Sequence, residues 1–329
     1  MSVKGSINLY QALVRSILEF SCELWGKDAW KDGENIQLEM SRRILRCSRK
    51  STNEAVLGEL GFWSLRARRN LKKIIYWFHI LSLPNSRLLK QAYLMSRANP
   101  DKKSNFASTI HSILNKYQLL EVWKNDSKIW NLDGTGNNKA KSLPEHKRFW
   151  RNYLTKVVHK YEERDWRERM RRVPKAPKKP KVIDEEKQPK LRTYRSFKTH
   201  LRLEKYLMTS ANYQGRALMT AIRIGTNKLQ IERGRWIQQK RLERVCKQCS
   251  MNQVENEVHF VLLCPKYEEL RQKLFQKIAS ISKNKWLLEK HPIKHRFVLL
   301  VNGTGDNFQL SIFSAFQSFI FRSFKLRTE

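Results

Sequence analysis

Residues 246–264 read CKQCSMNQVENEVHFVLLC and place Cys246, Cys249, His259 and Cys264 in the spacing C-x2-C-x9-H-x4-C. Two thiolates separated by two residues can enter one tetrahedral site from a tight turn. A His and a Cys five positions apart can close that site from the following helix or loop. Three of the 5 cysteines in the chain fall within this stretch, so a site for Zn2+ is expected. The alternative is that the cysteines are small buried hydrophobes and His259 a satisfied core histidine. A redox CxxC needs neither the His nor the third Cys. A module spanning about 244–272 has too few residues for a core of its own, so ligand bonds would fix its backbone and loss of one ligand should unfold it.

Outward from this stretch the chain reads as helices. On the C-terminal side, 266–281 carries an apolar stripe of Leu270, Leu274, Phe275 and Ile278, against which Val258, Phe260, Val261 and Leu262 would pack. A last helix over 307–324 presents Phe308, Ile312, Phe316, Phe319 and Ile320, either to complete a core or to dock a partner. On the N-terminal side helices are expected over 211–224, 149–172 and 64–81, with two or three more over 87–130. Still earlier, 35–46 and 7–25 have helical spacing, with the aromatic end of 7–25 packing inward. Ser51 with Glu54 three residues on fits a capping box. The fold class is therefore mainly α, a multi-part helical protein with a small CCHC zinc module near the C-terminus. Its expected parts are a helical bundle (1–98), a basic helical middle (99–173), a Pro/Lys-rich linker (174–190) and a helical region carrying the zinc module (191–329).

With Lys+Arg 66 against Asp+Glu 30 over 329 residues, the formal charge is +36 and the pI about 10.3. Such an excess is self-repelling unless a polyanion neutralises it, and nucleic acid is the commonest cellular polyanion; an anionic membrane surface is the competing one. The apolar-leaning stretch 308–324 is too interrupted by polar residues to span a membrane, and no signal peptide is evident. The clustered, odd number of cysteines favours a reducing setting, nuclear or cytoplasmic. The Lys-rich 175–181 suits a nuclear localisation signal or a basic tether. Two tracts are candidates for nucleic-acid contact. One is Arg66, Arg68, Arg69, Lys72 and Lys73, five basic residues in eight positions with no acid between them. The other is Arg233, Arg235, Trp236, Lys240, Arg241, Arg244 and Lys247, cations with one aromatic that can stack a base or equally serve a core. Binding through them should be tight, salt-sensitive and weakly sequence-selective. The Gly-x-Gly at 134–136 is no phosphate loop, because no Gly-Lys-Ser/Thr follows.

Two blocks resemble the region downstream of the polymerase active site in reverse transcriptases of non-LTR retrotransposons. The first is LYQALVRSILEFSCELWG (9–26) followed by 36–81, with Leu9, Tyr10, Glu23, Trp25, Gly26, Arg43, Ser51, Thr52, Asn53, Glu59, Leu60 and Gly61 fitting the pattern. It is similar to the family's thumb and connection, which implies a thumb-like role for the 1–98 bundle, with Arg66 to Lys73 along a template duplex. The second comprises 191–207, 217–236 and 244–271. Here Arg223, Gly225, Leu229, Ile231, Glu232, Gly234 and Arg235 precede the CCHC ligands, and Pro265, Tyr267, Leu270 and Arg271 follow them, as in the family's zinc-knuckle region.

The resemblance implies an RNA- or DNA-binding, non-catalytic C-terminal portion that holds template RNA and target DNA. The chain contains no Asp-Asp pair for two-metal phosphoryl transfer, and beyond Cys264 its only Asp is Asp306, so neither polymerase nor nuclease chemistry is expected from it alone. A second possibility is a fragment of an RNA-directed DNA polymerase that works only with an upstream polypeptide. A third is a zinc-stabilised protein-interaction module.

Overall fold

The helical spacing of apolar residues is realised in space. The computed structural model describes residues 2–25, 30–98, 105–124, 143–171, 191–209 and 212–328, and it is mainly α-helical, with no β-strand among the described residues. The 133–138 loop and the 174–190 linker, with its Lys-rich 175–181, lie outside the described residues. The chain divides into a larger unit of Met1–Tyr10, Leu38–Phe62 and Arg167–Glu329 and a smaller one of Gln11–Gln37 and Trp63–Trp166. The expected parts are consecutive, whereas the first 98 residues contribute to both units. Helices associate through complementary faces, and chain order does not decide which faces match.

The helix expected over 7–25 is broken into Val3–Leu9, a π-helical turn Tyr10–Arg15, Ser16–Leu18 and Cys22–Trp25, with Ser21 at φ 46°. A π turn takes up an extra residue, and a left-handed residue ends the helix, so the apolar stripe is rotated. Tyr10, Leu18 and Cys22 are buried, while Leu13, Ile17, Phe20 and Leu24, expected to face inward, are exposed.

In the smaller unit the Leu65–Leu81 helix is capped by Ser64, whose hydroxyl accepts from the Ala67 amide and donates to Glu162 Oε2. Its apolar face places Ile74, Trp77 and Phe78 in a core with Ile110 and Leu114 of the Phe106–Lys116 helix and with Leu154 and Val158. The buried Trp77 indole donates to the Tyr93 hydroxyl at 2.9 Å, which satisfies its one polar atom. A cavity of about 490 Å³ lies along this unit, lined by Ile75, Phe78, His79, Lys147, Arg148, Trp150, Arg151 and Leu154.

The larger unit is centred on a buried ion network. Arg223, on the Tyr213–Ile224 helix, donates to both carboxylate oxygens of Glu59 at 2.9 and 3.0 Å, to Glu204 Oε2 at 2.8 Å, and to the Val301 carbonyl. Tyr206 adds a hydrogen bond to Glu59 at 2.6 Å, and Lys198 pairs with Glu204 at 2.5 Å. Two cations thus face two carboxylates, so the desolvated charges cancel. Burial alone would push the Glu204 carboxyl up, but Arg223 and Lys198 beside it hold it below its ordinary value.

Glu59 reaches this place from the Asn53–Leu60 helix, which ends at Gly61 with φ 65°. A Cβ there would come within 2.5 Å of the Leu203 amide nitrogen, so only glycine lets the extended 202–204 segment close on it through the Leu60–Leu203 bridge. The Ser51 capping box does not form. Thr52 is the N-cap without a side-chain bond, and Arg42 instead ties the Ser51 carbonyl to Asn53 Oδ1. The final helix, Gln309–Thr328, buries Ile312, Phe316, Phe319 and Ile320 against Tyr213–Ile224 and Glu268–Ile281, and so completes this core.

Candidate metal centre

The four expected ligands converge. Cys246, Cys249 and Cys264 Sγ and a ring nitrogen of His259 all lie within 4.8 Å of one another, and the cluster can hold a metal ion. The sequence builds it from two local devices. Cys246 and Cys249 sit on a reversal closed by the Val245–Val254 bridge and by the Cys246 amide donating to the Gln253 carbonyl at 2.8 Å. Within it the Gln248 amide points at Cys246 Sγ, 3.4 Å away. His259 opens a π-helical turn, His259–Leu263, whose start is held by Asn256 Oδ1 accepting from the His259 amide. Cys264 ends the turn, its amide donating back to the His259 carbonyl at 2.8 Å. Cys246 Sγ is 4.0 Å from Cys264 Sγ, and Cys249 Sγ is 3.5 Å from His259 Nε2.

Around the ligands the helical body acts as a splint. Arg271 of the Glu268–Ile281 helix donates to the Cys264 carbonyl at 2.7 Å, and the Phe260 ring packs 4.9 Å from both Tyr267 and Phe324. Glu255 is held by Arg327 and by the Gln230 amide, which brings its carboxylate to 3.6 Å from Cys246 Sγ. Burial pushes the Cys246 and Cys264 thiols up, with Glu255 and the neighbouring thiols adding to it at Cys246. Burial pushes the His259 imidazole down, leaving it neutral and a ready ligand at pH 7. Thiols raised in this way at Cys246 and Cys264 keep their protons until a cation joins them.

The two basic tracts fare differently. Of the first, Arg66 is exposed, but Arg69 and Lys73 are only 1% and 2% exposed. Arg69 lies beside Trp25 and Trp30, and Lys73 donates to the Glu23 carbonyl. Arg68 and Lys72 both pair with the buried carboxylate of Glu19. The continuous phosphate-tracking face expected from this run is not what the helix presents, because a charge run of eight residues wraps around the helix and half of it turns inward.

In the second tract Arg233, Trp236, Lys240 and Lys247 are exposed, Arg235 pairs with Glu232, and Arg241 is half-buried. Arg244 instead acts as a strut, donating to the Gln239 and Ile231 carbonyls. Its stem passes so close to Gly234 that a Cβ there would come within 2.5 Å. Arg46, together with Lys50 and Tyr213, which the sequence does not single out, joins Trp236 on this unit's surface. Arg46 lies over the Tyr213 ring and Lys50 over the Trp236 ring. More than 160 residues separate each cation from its ring, so no local pattern pairs them.

The chain matches no protein-family model, no curated protein and no solved structure. Fold and site together define a mainly α-helical protein with a Cys3His cluster able to hold a metal ion. No helix among the described residues is long and apolar enough to cross a membrane.

Proposed function

We propose that the chain is a nucleic-acid-binding protein in which Zn2+, held by Cys246, Cys249, His259 and Cys264, orders a cationic and aromatic surface. The observation that carries this reading is the convergence of the four ligand atoms within 4.8 Å. A tetrahedral zinc site with its usual bond lengths separates two sulfurs by about 3.8 Å and a sulfur from a nitrogen by about 3.6 Å. The 4.0 and 3.5 Å separations of the two ligand pairs fit this. When bound, the ion supplies positive charge that keeps the thiolates ionised and fixes the reversal and the π turn to one another. The flanking Arg233, Trp236, Lys240 and Lys247 are exposed to solvent, and a net charge of +36 favours a polyanionic ligand.

In this reading the chain acts as the non-catalytic C-terminal portion of a non-LTR retrotransposon reverse transcriptase, in a nuclear or cytoplasmic setting. Polymerase carboxylates would come from an upstream polypeptide. Support comes from where the resembling residues meet. Glu59 of the first block and Arg223 of the second form the buried pair of the larger unit, and Gly61 makes the close approach beside it. The test is a binding curve for single-stranded RNA over a salt series, on the full chain and on Cys249→Ser, with metal content measured in parallel. Stoichiometric zinc and binding that falls steeply with salt and weakens in the variant are expected. A metal-loaded chain that binds no nucleic acid at moderate salt overturns the proposal in favour of a protein-interaction module.

A further inference from the structure

The turn after the Lys31–Leu45 helix holds Arg46 at φ 53°. That is the left-handed position at a helix C-terminus where glycine is favoured, and a side chain there carries a conformational cost. The turn is pinned from behind: the Cys47 amide donates to the Arg42 carbonyl at 3.1 Å, and the Arg42 guanidinium grips the Ser51 carbonyl and Asn53. From this base Arg46 lies 4.2 Å from the Tyr213 ring centroid and Lys50 lies 4.8 Å from that of Trp236. Neither ring fills a core, since with its cation in place Tyr213 is still 49% exposed and Trp236 61% exposed.

Resting on the reading of the chain as a nucleic-acid-binding protein, we propose that Tyr213 and Trp236 are two base-stacking positions for a single-stranded RNA or DNA. Arg46 and Lys50 would take the phosphates of the nucleotides stacked there. Ring faces are useful only to bases whose own faces are free, and in a duplex those faces are taken up by neighbouring base pairs. The cation seated over each ring covers that face while no ligand is present; a stacking base displaces it to its edge, where the backbone phosphate runs. The pairing draws both cations from residues 46–50 and both aromatics from residues 213–236, so the surface exists only in the folded larger unit.

The test uses the full metal-loaded chain, a labelled single-stranded oligonucleotide in RNA and DNA form, and the matching duplex, at one salt concentration and then over a salt series. The single strand should bind more tightly than the duplex. Tyr213→Ala and Trp236→Ala should each lose about 5-fold or more in single-strand affinity, with duplex affinity and melting temperature unchanged. Arg46→Gly should flatten the logarithmic salt dependence by about 0.7 while holding or raising the melting temperature, because glycine relieves the left-handed residue. A purely structural role for Arg46 would lower the melting temperature and leave the salt slope unchanged. Equal affinity for duplex and single strand, or aromatic variants that bind like the parent, overturns the stacking proposal alone. Absence of binding to every strand form overturns it together with the reading it rests on.

Discussion

The basic tracts 66–73 and 233–247 look alike in sequence, yet the folded molecule uses them for different ends. In the first, Lys73 and Arg69 are buried and Arg68 and Lys72 close on Glu19, so four of the five candidate cations hold helices together. In the second Arg244 is a strut and Arg235 pairs with Glu232, while Arg233, Lys240 and Lys247 face water. A run of like charges is therefore no measure of a binding face. What decides is whether a carboxylate or a carbonyl from elsewhere reaches the same side of the helix, as Glu19 does for Arg68 and Lys72.

The strongest way to break the contrast is to remove what shapes the second tract. Cys264→Ser, or a chelator on the parent chain, should abolish metal binding worth on the order of 10 kcal/mol to a small zinc module. Amide exchange protection over 245–264 should collapse and nucleic-acid affinity fall, read by hydrogen exchange and a binding curve on the same samples. Retained protection in the metal-free chain would mean that the Phe260, Tyr267 and Phe324 packing suffices.

Next in size is Arg223→Met, which isolates the internal use of a cation. It leaves Glu59 and Glu204 buried without their shared partner, and should lower stability by about 3–5 kcal/mol in urea unfolding. A change under about 1 kcal/mol would show that the network relaxes to water.

A smaller effect is expected from pH. The Glu204 carboxyl is held below its ordinary value of 4.5, so the folded state binds fewer protons there than the unfolded chain. Its contribution is present above pH 4.5 and is lost as pH falls through the lower folded value. Thermal melts between pH 6 and 3 should show a shallower acid limb in Glu204→Gln than in the parent.

The smallest changes sharpen the comparison directly. Lys240→Ala with Lys247→Ala should leave the melting temperature in place and reduce the salt slope of single-strand binding by about 0.7 for each phosphate that is no longer neutralised. Arg68→Ala should do the reverse, lowering the melting temperature with the salt slope unchanged.

Much of this is legible without coordinates. The Leu65–Leu81 helix falls within a residue of its expected 64–81, because apolar spacing and the Ser64 cap are local signals. The expected 7–25 helix breaks where periodicity gives no warning, because a π turn and the left-handed Ser21 leave no mark on the apolar spacing. The Ser51 capping box fails because the helix starts one residue later, with Thr52 as its N-cap, and the Ser51 amide already donates to the Ser48 carbonyl.

By itself, then, the sequence determined the helical class, the basic character and the four candidate ligands, since helical periodicity and the spacing of Cys246, Cys249, His259 and Cys264 are properties of short stretches. Only the tertiary structure decided that Glu59 pairs with Arg223, 164 residues away, that Arg68 pairs with Glu19, 49 residues away, and that Arg46 and Lys50 sit over Tyr213 and Trp236. The physical reason is that a charged side chain takes its role from the partner and the dielectric around it, and both are supplied by residues that chain order keeps apart.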